Sequence, residues 1–350
     1  MKILCDLHHM ALYHSLQILF EDRLGWELYR PIGLDWYHEG FWDIFPHINT
    51  AKQFLGIDEP PILQKDVHGE VLAEMERKNL HTAKTEEGLY VVKDVVYNCY
   101  QRAITLDRFK QEEFDIVLSS IPQHIEPFNR LIKEFQPRAK HIFQVGNCWD
   151  QLPGVKNILA SAEPFNVSGD TNVVFYHQEF DREMFSYTEP RFHNTVHSYV
   201  HYMKEPYLMD QIIPSLPGWQ LVKYGAGMDQ VLQGMESVSE AIKSSSFTWQ
   251  YKPEGDGFGH VIHSSYACGR PAVIWRSQYQ GKLAHRLFIP DVTCIDADGL
   301  MPAQIAEKLI HFSYPDNHEA MCLAAYQKFK DVVDFDAEFE KIKVFLGNLR

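Results

Sequence analysis

The sequence predicts an α/β protein made of two Rossmann-like domains. Three observations lead there. Short apolar runs alternate with helix-patterned segments through the first half of the chain, as in an open parallel sheet. A second alternating set follows a polar, proline-containing stretch. The length of 350 residues is too great for one typical domain and comfortable for two.

In the first set, Lys2–Asp6 reads as a strand and Met10–Arg23 as an amphipathic helix that Gly25 ends. Trp26–Tyr29, Asp115–Ser119, His141–Val145, Asn157–Ala160 and Asn172–Tyr176 read as further strands, with a helix near Glu126–Phe135. Pro31–Lys84 is irregular and aromatic and yields no element. The linker is placed in the polar span Gln178–Arg191. Beyond it, Thr195–Val200, Trp219–Tyr224, Ser246–Tyr251, Ala272–Trp275 and Val292–Ile295 are strands. Glu205–Ile213 and Met235–Lys243 are helices, and the tail from about Glu319 to Arg350 is helical. The domains are accordingly expected at 1–180 and 190–325, with a last helix over 326–350.

Composition narrows the partners. The formal net charge is −14, so the overall field does not attract a nucleic-acid backbone or an anionic leaflet. No apolar run approaches the ~20 residues that span a bilayer. The opening Met1-Lys2-Ile3-Leu4-Cys5-Asp6 reads as a strand and not a signal peptide. The six cysteines, at 5, 99, 148, 268, 294 and 322, form no C-x-x-C pair. Free thiols in a reducing cytoplasm are the expectation.

Lys252 to Pro271 is the most informative stretch. Gly255, Gly257 and Gly259 alternate with acidic and aromatic residues ahead of an apolar run. Glycines there let backbone approach a ligand, and the helix start behind them offers N–H groups to a phosphate. Gly269 and Pro271 stop that helix. From Asp256 to Pro271 the chain reads D-G-F-G-H-V-I-H-S-S-Y-A-C-G-R-P. This resembles the C-terminal signature of retaining glycosyltransferases of GT-B fold, the family 4 type. Gly257, Phe258, Gly259, Ala267, Gly269 and Pro271 match in register. Asp256 replaces the family's first glutamate and Ser264 the second, which in the family holds the nucleotide ribose.

The resemblance implies two domains facing a cleft and a nucleotide diphosphate sugar as co-substrate. It also implies a last helix crossing back to the first domain. No metal or other cofactor is implied, because cationic side chains and a helix N-terminus take up the phosphate charge. Lys252 and Lys204 are the candidate phosphate ligands, and Asp256 would touch the donor sugar. The backbone of Gly257, Phe258, Gly259 and His260 would line donor and phosphate, with Ser264 at the ribose. Gly225-Ala226-Gly227 is a glycine turn where the nucleotide would approach. Lys282, after Gln280-Gly281, reads as a surface lysine. In the first domain, His8 and His9 follow the first strand and suit a base or a ligand to donor or acceptor. Asn147, Trp149 and Asp150 suit an acceptor sugar.

Three alternatives share this fold. They are a glycosyltransferase acting on a hydroxylated DNA base, a nucleotide-sugar epimerase, and a nucleotide-sugar-binding protein without catalysis. The acidic charge disfavours the first, and the serine at 264 motivates the last.

Overall fold

Runs of consecutive apolar residues become strands buried on both faces, as parallel sheets require. The computed structural model describes residues 1–6, 10–31, 36, 39, 41, 82–85, 88–91, 102–146, 154–162, 170–190, 194–199, 207–225, 230, 232, 234–253 and 257–350. The first sheet contains β1 (Lys2–Cys5), β2 (Glu27–Pro31), β5 (Ala103–Ile104), β6 (Ile116–Ser119), β7 (Lys140–Val145), β8 (Asn157–Ala160) and β9 (Asn172–Phe175). Its order is β5-β2-β1-β6-β7-β8-β9, and every pairing is parallel. A separate antiparallel hairpin joins β3 (Thr82–Thr85) and β4 (Gly88–Val91).

The second sheet contains β10 (Thr195–Ser198), β11 (Gln220–Lys223), β12 (Phe247–Gln250), β13 (Ala272–Ile274) and β14 (Cys294–Asp296). Its order is β11-β10-β12-β13-β14, again all parallel. Both sheets reverse strand order once, between β1 and β6 and between β10 and β12. Ligands of such sheets bind at the carboxyl ends beside that reversal.

The helices are α1 (Met10–Gln17), α2 (Leu106–Gln111), α3 (Ile125–Phe135), α4 (Tyr207–Asp210), α5 (Gly234–Ser244), α6 (His260–Ala267), α7 (Pro302–His311), α8 (Pro315–Val332) and α9 (Phe335–Gly347). The helix expected over Met10–Arg23 forms, but its second half, Ile18–Arg23, widens to π geometry. The expected Glu205–Ile213 helix is described only as the single turn α4, followed by a 3-10 turn at Ile213–Ser215. Pro214 inside that turn cannot donate to a longer helix.

The last helix returns to the first domain. Ile342 and Phe345 of α9 pack with Ile3, Leu16, Leu159 and Val174. The chain end is fastened too: Arg350 N donates to Asn157 Oδ1 at 2.9 Å, and Asn157 Nδ2 donates to Arg350 O at 3.1 Å. The α9 N-terminus joins an ion network, where Asp336 accepts from Arg23 at 2.9 Å and from Arg182 at 2.8 Å. Those two guanidinium groups hold the Asp336 carboxyl far below the usual carboxylate range.

The linker is no loose tether. Phe180 and Phe185 are buried in the core of the second domain, with Phe329, Val333 and Phe335 from the α8–α9 elbow. Each such phenylalanine contributes about 1.5–3 kcal/mol of burial. Polar letters around two aromatic anchors hid this packing from the sequence. The described cysteines Cys5, Cys268, Cys294 and Cys322 are buried free thiols, and burial pushes the last three up to about 12. Among the described residues no helix is long and apolar enough to cross a membrane.

Gly269 ends α6 as the sequence implies. Arg270 N donates to Ser265 O at 2.7 Å and Gly269 N to Tyr266 O at 3.0 Å, a Schellman closure. Gly269 has φ +72°, and a Cβ there would sit 2.6 Å from the Tyr187 ring. Gly281 has φ +76° with open space around it. Gly281→Ala is expected to cost about 1–2 kcal/mol, the left-handed penalty alone. Gly269→Ala should cost about 2–4 kcal/mol, because the half-buried Tyr187 ring must move as well. Urea midpoints of the two variants measure the difference, and equal losses would show that the Tyr187 contact is soft.

A half-buried histidine sets an acid limit on stability. His141 Nδ1–H donates to Asn129 Oδ1 at 2.8 Å, and its Nε2 accepts from the Ser119 hydroxyl at 2.8 Å. Burial holds its pKa down to about 4, against an ordinary 6.5. The unfolded chain therefore binds the proton first. This stability is complete above pH 6.5 and is lost as pH falls toward 4. At pH 5 the loss is on the order of 2 kcal/mol. His141→Gln should flatten the pH 5–7 slope of urea midpoints by that amount.

Candidate functional site

The site is built where β12 delivers the chain to α6. All four residues of β12 are buried, so its exit is rigid. Lys252 follows, half-buried, with its backbone N–H donating to Gln278 Oε1 at 2.7 Å. The chain enters α6 through Gly259, which caps the helix at φ 72° and ψ 50°. A left-handed cap favours glycine, and Gly257, Phe258 and Gly259 are all buried at this entry. His263 N donates to Gly259 O at 3.2 Å, the first bond of the helical ladder. The N–H groups ahead of it have no intrahelical acceptor, and the helix dipole adds partial positive charge there.

The loop is seated on the first domain. Phe258 N donates to Gly146 O, at the end of β7, at 3.1 Å. That N–H is therefore engaged in seating the loop. The Phe258 ring is buried and stacks on the His263 ring, with centroids 4.1 Å apart and planes at 9°. His263 Nδ1–H donates to Gly259 O at 2.9 Å. Burial, then the neighbouring His177, hold the His263 pKa well below its usual value. It is a neutral imidazole that shapes the loop. Its partner in the sequence, His260, packs against Phe180 and Phe185.

Other expected residues have specific settings. The Ser264 hydroxyl donates within its own helix, to His260 O at 2.9 Å and Val261 O at 3.2 Å, so holding a ribose would require it to leave them. Gly225 follows β11 with φ 146°, and its N–H donates to Gln230 O at 2.9 Å. Beside it, Tyr224 stacks on Tyr199 from the end of β10, at 5.3 Å and 16°. Gly257, Phe258, Gly259 and His260 are brought together at the helix mouth. His8, His9, Asn147, Trp149, Asp150, Lys204, Gly227 and Asp256 lie outside the described residues.

Several groups have partners that local sequence does not give. Asp6 ends β1 buried, with Oδ2 2.7 Å from His124 Nδ1 and Oδ1 accepting from Ser120 N at 3.0 Å. Gln250 ends β12 fully buried, and among the described residues neither polar atom of its carboxamide has a hydrogen-bond partner. A glutamine closing the apolar run Phe-Thr-Trp-Gln was the available signal. His177 and Glu338, whose pairing lies at this junction, carry no local motif at all.

No protein-family model matches the chain, and no curated protein matches it. Solved structures do. HepE of Anabaena, in complex with UDP and glucose, is similar at TM-score 0.60 and 10% identity, with all of both chains covered. A glycosyltransferase of Rickettsia africae is similar at TM-score 0.56 and 11% identity, over 98% of this chain and 97% of that one. The third is an alpha-glucosyltransferase in complex with UDP-glucose and DNA containing an abasic site. It gives TM-score 0.55 and 10% identity, over 99% and 98%. The fold is GT-B. In this fold the described loop lies between the two sheets, with the second domain's β12–α6 junction against the first domain's β7 exit.

Proposed function

We propose that the protein is a glycosyltransferase that moves a sugar from a nucleotide diphosphate sugar to an acceptor hydroxyl. The observation that carries this reading is the glycine-capped start of α6, set beside the β10/β12 reversal and seated against the β7 exit. UDP-glucose is the first donor to test, because HepE and the alpha-glucosyltransferase have been crystallised with it. The match to the family 4 signature supports retention. In front-face attack the bond from the anomeric carbon to the diphosphate oxygen breaks as the acceptor oxygen bonds on the same side. The acceptor's proton passes to the departing diphosphate.

The chain's own groups supply charge and position. First-turn amides and the α6 dipole stabilise the developing diphosphate charge, and Lys252 and Lys204 add cations. Asp256 holds the donor sugar, Gly225 and Gly227 let the nucleotide approach, and Ser264 stands near the ribose. Asn147, Trp149 and Asp150, which follow Gly146 in the chain, are the residues suited to the acceptor, with His8 or His9 serving it or the donor phosphate. The reaction needs no metal, and the setting is cytoplasmic. A DNA acceptor is the second reading, favoured by the DNA-bound neighbour and opposed by the net charge of −14.

Thermal shift and calorimetry against nucleotide diphosphates and their sugars, without metal, test the proposal. Selective binding of one sugar nucleotide is expected. Binding of none by a folded sample would end the reading. Lys252→Ala should weaken diphosphate binding about 10- to 100-fold while leaving the nucleoside nearly unaffected. Equal losses for both would remove Lys252 from the phosphates.

A further inference from the structure

The geometry points to His177, oriented by Glu338 of the C-terminal helix, as a positioning residue for the glycine loop. The inference deepens the reading above, since this is the loop on which the donor is proposed to sit. Glu338 grips His177 with both oxygens. Oε2 accepts from the backbone N–H at 2.7 Å, and Oε1 from Nδ1–H at 2.6 Å. The side chains are only 5% and 14% exposed, so this carboxylate–imidazole pair is shielded from solvent. A carboxylate at Nδ1 fixes both tautomer and ring plane, as it does for imidazoles that bind metals or serve as bases.

The fixed ring has one evident object. Its centroid lies 5.3 Å from that of His263 and 6.0 Å from that of Phe258. Those two rings are the stacked pair that shapes the entry to α6. His177 follows β9, and α9 packs on the first domain. The ring therefore presses from the first domain's body onto the second domain's loop. The Phe258 N–Gly146 O bond is the companion contact on the same loop. A single aromatic stack thus receives its position from two places in the first domain. The returning helix does more than cover that domain, because its carboxylate sets the plane of the ring on which the loop rests.

Amide hydrogen exchange on Glu338→Gln tests this, with Glu340→Gln as control on an exposed position of the same helix. In Glu338→Gln, exchange over 257–267 should accelerate about tenfold or more, while β6 and β10 keep wild-type rates. Glu340→Gln should change nothing. His177→Phe keeps a ring against Phe258 but loses the Nδ1–H donor, and it should loosen the same peptide. UDP affinity should fall about tenfold in both active variants. Unchanged exchange over 257–267 in Glu338→Gln overturns the inference, as does wild-type behaviour of His177→Phe or acceleration spread evenly over the chain. If the loop loosens but the wild-type protein binds no UDP or other nucleotide, the positioning role stands and the glycosyltransferase reading falls. If UDP binds wild type and variants alike with the loop unchanged, the reverse holds.

Discussion

The guanidinium of Arg270 is fully enclosed and meets no carboxylate among the described residues, yet the C-terminal end of α6 depends on it. Its five N–H donors are all used. Nε and Nη2 donate to Lys243 O at 3.2 and 2.9 Å, Nη2 also to Thr188 Oγ1 at 2.8 Å, and Nη1 to Thr188 O and Cys268 O at 3.0 and 2.9 Å. Burial lowers the arginine pKa. The compensation comes from carbonyls at the C-termini of α5 and α6, where the helix dipoles place partial negative charge. One side chain thereby ties the linker to both helices. An unpaired charge at this depth would be strongly destabilising, so these carbonyls are part of the fold's specification.

With its back end pinned, α6 has a fixed place in the second domain. An isolated helix of eight residues is unstable in water, because nucleation costs more than so few bonds return. Here tertiary contacts supply both ends. Arg270 and the Schellman turn hold the C-terminus, while Phe258, His263 and His177 hold the N-terminus against the first domain. A mouth fixed in this way has its amides ordered before any ligand arrives. Preorganised donors of that kind stabilise developing charge most effectively.

The strands were legible because a strand buried on both faces must be a continuous apolar run. Ile116–Ser119 and Asn157–Ala160 are each buried throughout, and each was found within a residue. Gly259 and Gly269 were legible because each left-handed position has a conformational reason to be glycine. What escaped the sequence depends on long-range pairing. Glu338 and His177 are 161 positions apart, and nothing beside either announces the other. Lys282 read as a surface lysine, but it is buried with its ammonium 5.5 Å from the centre of the Tyr279 ring. A lysine stem covers apolar surface well, and periodicity does not show which way it lies.

The contacts between the domains also bear on how the cleft works. Any opening at this point must break the Phe258–Gly146 hydrogen bond and draw His177 away from the loop. One neutral backbone bond contributes about 1 kcal/mol net, and an aromatic pair about the same. A diphosphate making a few charge-assisted hydrogen bonds gains more than that. The seated arrangement is therefore stable enough to shape an empty site and weak enough for a ligand to reset. Glu338, on the helix that returns to the first domain, belongs to the same set of contacts through His177.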